Sequence, residues 1–479
     1  MNATALHEGI KAAYEDVAYV GRPNHHSHVD RIAAIATLFG LSPPDPARAR
    51  ILEVGCGDAA NLLPMAARFP GARFVGCDYS ALLMGQARAM AADLRLSNVE
   101  FVEGDLRDVA ASLGTFDYVI GHGFYSWVPT DVRNAFVAML GRQLAPGGLG
   151  FVSYNALPGC FIRRIGWDAL RLAVAGIPSA RDRLAASRRE LRDLADAWSS
   201  MPGVPGHLGR EYGAAADRSD SALYHDDLSA MNHAVYFSSF VQEIGRQGLG
   251  FLAEAELGTM SMAGLPERMR ALVAEADPLA REQMLDFARV RRFRQSIVAR
   301  TADVQRAGLV PSAVTRLHLS AVTGVVQKRS SGAERSVEGP LIDLLVDAYP
   351  ASVPGAEAIE HLQRRGWTSD DARTTVVRGC FSGAVDLHAS PLPLVTRASA
   401  RPRIPALARW QAARGDSVTS IRHAPVRVDE ANARALVIAC DGTRDREALV
   451  RAAAMTASDA GEVVDHYLER FASAGLFEA

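Results

Sequence analysis

The run Ile51-Leu52-Glu53-Val54-Gly55-Cys56-Gly57 constrains this chain more than any other stretch. An apolar, strand-like segment carries a carboxylate near its end and breaks into a glycine-rich turn. Two further apolar runs end in the same way, at Cys77-Asp78 and at Gly104-Asp105. In a doubly wound parallel sheet, successive strands deliver their carboxyl ends to one edge, where ligands bind. Three acids at three such ends form a pattern suited to a nucleotide-like molecule.

A dinucleotide is one candidate. Gly55-x-Gly57-x-x-Ala60 satisfies the degenerate fingerprint, and Asp78 stands at about the ~20-residue distance expected of a ribose contact. Glu53 argues against it. An anion two residues before the turn repels a pyrophosphate and suits a ligand bearing an ammonium and a sulfonium. Gly55 and Gly57, lacking Cβ, let the backbone approach such a ligand closely. Asp78 and Asp105, ending the next two runs, are expected along the same edge.

Five parts are legible in the 479 residues. Residues 1–45 begin helically and end at the helix-breaking Ser42-Pro43-Pro44-Asp45-Pro46. They read as a lid, with His25, His26 and His28 belonging to it; no metal is expected, since no ligand partner stands at the right spacing. Strands are expected at Ile51–Val54, Arg73–Cys77, Val99–Val102, Tyr118–Ile120 and Leu149–Tyr154, with helices between, such as Ala81–Ala92. That alternation is α/β, a Rossmann-like domain over 46–159 and 222–260. Residues 160–221 read as a helical insertion. Leu184, Leu191, Leu194, Trp198 and Met201 make an apolar seam there, either packed within the domain or forming a homodimer. Residues 261–334 read as a helical middle region and 335–479 as helix-rich winged-helix-like modules.

Composition excludes several classes. Net charge is −2, from 52 basic and 54 acidic residues, so nucleic acid and anionic membranes are not expected partners. No apolar run has membrane-spanning length, and residues 1–11 lack a secretory apolar segment. Five scattered cysteines without a CxxC pattern read as reduced thiols in a cytoplasmic protein. Cys56 and Cys77 read as small residues lining the ligand site.

Several longer motifs carry a resemblance. They are Tyr14-Glu15-Asp16-Val17-Ala18-Tyr19, then Asn61 through Met65, then His122-Gly123-Phe124-Tyr125-Ser126-Trp127-Val128-Pro129. Ser153 through Gly159, Leu223-Tyr224-His225-Asp226-Asp227-Leu228 and Arg291-Arg292-Phe293-Arg294-Gln295-Ser296 complete the set. Together they resemble the class I methyltransferases of the rickettsial protein-lysine type, which carry a methyltransferase regulatory domain. The resemblance implies S-adenosyl-L-methionine as cofactor, an insert used for dimerisation, and a protein or peptide amine, lysine foremost, as acceptor. A leader-guided or small-molecule methyltransferase is the first alternative, and a non-catalytic S-adenosylmethionine-binding regulator the second. Residues 426–445 also resemble winged-helix modules that bind leader peptides.

The candidate cofactor-binding set is Glu53, Gly55, Cys56, Gly57, Asn61, Asp78, Tyr79, Asp105, Leu106 and His122. For the acceptor side the expectation is an aromatic pocket of Tyr125, Trp127 and Tyr154, whose faces steady a cationic amine. Asn155 joins it, and His225 is a candidate base.

Overall fold

In the computed structural model, residues 16–17, 20–229, 231–330, 339–453 and 460–479 are described. The expected helix at the start of the chain, and all but Asp16 and Val17 of the Tyr14–Tyr19 motif, lie outside the described residues.

Seven strands form the central sheet: β1 (Arg50–Val54), β2 (Arg73–Asp78), β3 (Val99–Glu103), β4 (Phe116–Gly121), β5 (Leu144–Asn155), β6 (Leu249–Glu254) and β7 (Phe293–Arg300). Their order is β3-β2-β1-β4-β5-β7-β6. The first five run parallel and β7 antiparallel. The chain winds outward from β1 to β3, then returns beside β1 with β4. The reversal leaves a crevice outside the carboxyl ends of β1 and β4, where Glu53, Gly55 and His122 lie. Parallel strands are covered on both faces and so need apolar residues on both. Ile51 packs in one buried cluster with Ile35 and Phe74, whereas Leu52 and Val54 pack in another with Val119 and Phe136. The five strands expected from sequence correspond to β1 through β5. Ala145-Pro146-Gly147-Gly148 loops out of β5, so Phe116 opposes Leu144 and Tyr118 opposes Leu149.

The sheet closes later than expected. β6 is its edge, and β7, inside the region expected to be helical, lies between β5 and β6. The basic run Arg291–Gln295 falls in that region, and its Arg294 is fully buried. It bonds Glu254 at 2.7 Å, Asp286 at 2.9 Å and Glu282 at 3.2 Å. Buried charge is tolerated only when paired in this way, and such pairing is invisible to a count of local hydrophobicity.

Three helices, Gly159–Ala173, Ala180–Trp198 and Val204–Ala216, form the insertion. The seam packs inside it. Leu184 and Leu191 are buried with Leu208 and Tyr212, and Trp198 lies 5.5 Å from Tyr212 between ring centroids. Met201 is exposed. The intradomain alternative therefore describes the seam, because the helix Val204–Ala216 returns along it.

The first C-terminal module begins earlier than residue 335. β8 (His318–Ala321) pairs with β9 (Val353–Pro354) and β10 (Val385–His388), and helices lie between. The second module holds a hairpin of β11 (Ser417–Thr419) and β12 (Pro425–Arg427) and the helices that follow. No helix among the described residues is long and apolar enough to cross a membrane.

Candidate functional site

At the end of β1, Glu53 is buried. Its Oε1 accepts from Asn61 Nδ2 at 2.7 Å. Its Oε2 is buried with no hydrogen-bond partner among the described residues. Burial pushes the carboxyl up to about 8; Asp58 and Asp78 push the same way, and the Asn61 bond opposes them. An unpaired buried acceptor costs about 1–3 kcal/mol, so the site is built for a donor. The turn is shaped for close approach. Gly55 has φ +69°, and a Cβ there would lie 2.6 Å from the Phe124 ring. Gly57, at φ +55°, donates its N–H to Asp78 Oδ2 at 2.9 Å. Ser80 N–H donates to Asp78 Oδ1 at 2.9 Å. These bonds hold the carboxylate of Asp78 at the end of β2 and counter the burial that raises its pKa.

Cys56 is buried, and its thiol is pushed well up by burial, so it serves as a small wall and not a nucleophile. Tyr79, following Asp78, is about half exposed. Asp105 caps the short helix Leu106–Val109 and is paired with Arg107 at 2.6 Å; Leu106 is buried beside it. His122, just past β4, is kept neutral by burial, its pKa lowered to about 4. Its Nδ1 lies 3.1 Å from Ser153 Oγ, which also accepts from Gly123 N–H at 2.8 Å. Glu53, Asp78 and Asp105 therefore stand in order along one edge, and the orphaned Glu53 oxygen fits a cationic amine. No group of three or more metal-ligating side chains is arranged for a metal among the described residues.

The acceptor side differs from expectation. Tyr125 and Tyr154 are fully buried, 5.7 Å apart, and both pack on Phe240. The Tyr125 hydroxyl donates to Glu243 at 2.5 Å, and that of Tyr154 lies 3.3 Å from Ser296 Oγ. They form part of the core beneath the edge and not the walls of a pocket, because the turn after β4 and the strand β5 direct those side chains inward. Trp127 is half-buried on the turn after β4 and retains surface. Asn155 is buried and donates to Asn232 Oδ1 at 2.8 Å. His225 is engaged elsewhere: Nε2 donates to Val17 O at 2.8 Å, beside the insertion.

Sequence reasoning missed five contributors. Asn24 donates its side-chain amide to Gln295 Oε1 at 3.0 Å and lies 3.1 Å from His122 Nδ1. Ser27, Ser153 and Asp58 add bonds to Asn61, His122 and Gly21. Gln295 stood in a quoted motif, but its assignment to a helix hid its place beside β5.

Comparison with known proteins agrees with this edge. Residues 51–148 match the family described as Methyltransferase domain, 219–300 the Predicted methyltransferase regulatory domain, and 400–462 the PKMT, C-terminal winged helix domain. An uncharacterized Rickettsia prowazekii protein, RP028, is 30% identical over 234 residues, 49% of this chain and 94% of that protein. The chain belongs to this methyltransferase family. The methyltransferase is also 34% identical over 287 residues to RP789 of the same organism, a match spanning 60% of this chain and only 52% of RP789. Its fold is that of PKMT2 from Rickettsia typhi, with TM-score 0.83 over 96% of this chain and 100% of that one at 20% identity. A second PKMT2 structure, in complex with AdoHcy, gives TM-score 0.84. The family's methyl donor is S-adenosylmethionine, and the Glu53, Gly55 and Asp78 arrangement fits it.

Proposed function

We propose that this chain transfers a methyl group from S-adenosylmethionine to an amine of a protein or peptide, lysine foremost. The observation that carries the reading is the buried, unpartnered Glu53 oxygen at the β1 turn, in a chain whose whole fold matches PKMT2. Glu53 takes the ammonium of the donor, Asp78 the ribose hydroxyls, and Asp105 with Leu106 the base. Bound there, S-adenosylmethionine supplies an electrophilic methyl group on a sulfonium.

Transfer is an in-line displacement, so the chain's own task is alignment, worth roughly 7–11 kcal/mol in well-oriented systems. A lysine must reach the edge without its extra proton, since an ammonium has no lone pair. The partly apolar surface at Trp127 favours the neutral amine through desolvation, and the ring positions the incoming chain. Asn155 and His122 offer uncharged hydrogen-bonding groups beside it. That neutral lining supports an amine over a polycarboxylate, although trans-aconitate 2-methyltransferase of Deinococcus radiodurans is 30% identical over 26% of this chain.

Intact-mass analysis of lysine-bearing proteins and peptides incubated with the enzyme and donor tests the reading. Increments of one methyl that disappear when lysines are blocked support it; methylation confined to carboxylates overturns it. Self-association belongs to the same proposal. Phe161, Ile165 and Leu172 leave apolar surface on the insertion, and sedimentation of the intact chain against an Ile165→Glu, Leu172→Glu variant reads it directly.

A further inference from the structure

Asn61 is met from three parts of the chain. Its Nδ2 donates to Glu53 Oε1 at 2.7 Å and to Ser27 Oγ at 3.0 Å. Its Oδ1 accepts from Asn24 N–H at 2.9 Å and from His423 Nε2 at 2.8 Å. The amide is thereby saturated, with two bonds given and two received. Two N–H groups aimed at the oxygen leave only the nitrogen to face Glu53, so the donors fix which way the amide points.

One of those donors is 362 residues away, on the β11–β12 hairpin of the second C-terminal module. His423 is buried and stands at φ +58°. That left-handed conformation is uncommon for a residue other than glycine, and such outliers are held only where surroundings over-determine them. The hairpin is anchored beside it. Arg422 donates to Pro350 O at 2.8 Å and to Ala321 O at 3.1 Å, both in the first module. The His423 ring lies 4.9 Å from that of His28, edge-on.

We propose that His423 is a positioning residue for methyl-donor binding: the C-terminal hairpin orients Asn61, and Asn61 holds Glu53 where the ammonium docks. This rests on the reading that the Glu53–Asp78 edge binds the donor. Docking of the C-terminal module and binding of the donor are then linked, each tightening the other by the same factor.

The test uses the full chain, calorimetric titration with S-adenosylhomocysteine, and steady-state kinetics in the donor. Losing one neutral hydrogen bond at an internal site corresponds to about three- to tenfold in affinity, the weakening expected of His423→Ala. The change falls on KM for the donor, with kcat within about twofold, because the methyl-accepting groups are untouched. His423→Gln, whose side-chain amide donates as the imidazole does, restores affinity. Arg422→Ala, which frees the hairpin without touching Asn61, weakens binding similarly and adds little on top of His423→Ala, as expected for residues acting as one unit. Asp78→Ala is the control. If it abolishes binding while His423→Ala binds like the parent, the positioning role fails and the donor reading stands. Should Asp78→Ala bind like the parent, the donor reading itself fails. If His423→Ala does not fold, His423→Gln and Arg422→Ala decide: equal losses in both overturn the proposal, and loss in Arg422→Ala alone supports it.

Discussion

The proposed donor half of the site and its proposed acceptor half are built differently. On the donor half the acids stand at or just past strand ends: Glu53 beside Gly55 and Gly57, Asp78 closing β2, and Asp105 two residues past β3. Backbone N–H groups of Gly57 and Ser80 fix Asp78, and the Asn61 amide holds Glu53. On the acceptor half the strand-end aromatics point down. Tyr125 and Tyr154 fill the core with Phe240, Asn155 is buried against Asn232, Trp127 keeps surface, and Asn24 and Gln295 are brought in from afar beside His122. A local turn repeats wherever its sequence repeats. An assembled surface depends on where distant segments happen to land, so it is free to vary with substrate.

The sharpest way to break this comparison is Asp78→Ala. A hydrogen-bonding carboxylate is worth roughly 1.5–3 kcal/mol, so donor affinity should fall about 10- to 100-fold. Calorimetry with S-adenosylhomocysteine measures it, and an unchanged constant removes the donor half as described.

Trp127→Ala should come next and act on the other half. We expect kcat to fall by about tenfold, the scale of a lost cation–π or packing contact of 1–2 kcal/mol. Donor affinity should stay within about threefold. A drop confined to donor binding would erase the division between the halves.

Glu53 gives a pH signature belonging to the donor half alone. Its carboxyl is raised from 4.5 to about 8 in the fold. The protonated form is favoured on folding, so the group's contribution to stability is full below about pH 4.5 and is lost as pH rises through about 8. Free parent protein should therefore lose more thermal stability than Glu53→Gln between pH 5 and about 8. Asp58 and Asp78 oppose ionisation and Asn61 supports it. An arriving ammonium stabilises the ionised form, so binding near neutral pH should release a proton. Titrations in two buffers of different ionisation enthalpy detect that release; buffer-independent heats would show Glu53 already ionised in the free chain.

Tyr125→Phe should produce the smallest functional effect. Removing the hydroxyl leaves Glu243 without that bond and costs about 1 kcal/mol of stability. Methylation rates should remain within about twofold. A large fall in kcat with unchanged melting would return Tyr125 to the reacting groups.

The sequence alone determined the parallel sheet, its five leading strands and the order of the strand-end acids. Apolar runs ending in glycine and acid are local patterns, and a strand's carboxyl end is where its turn must lie. Which aromatics face a ligand was decided only by tertiary structure, since a strand's alternation names two faces without saying which neighbour covers each. β7 was hidden for a related reason: Arg294 enters the core only because Glu254, Glu282 and Asp286 converge there. The contact between His423 and Asn61 lies beyond any local pattern. Neither residue's neighbours mark it, and it exists because two modules pack so that a strained hairpin turn meets the amide of Asn61 at the start of a helix.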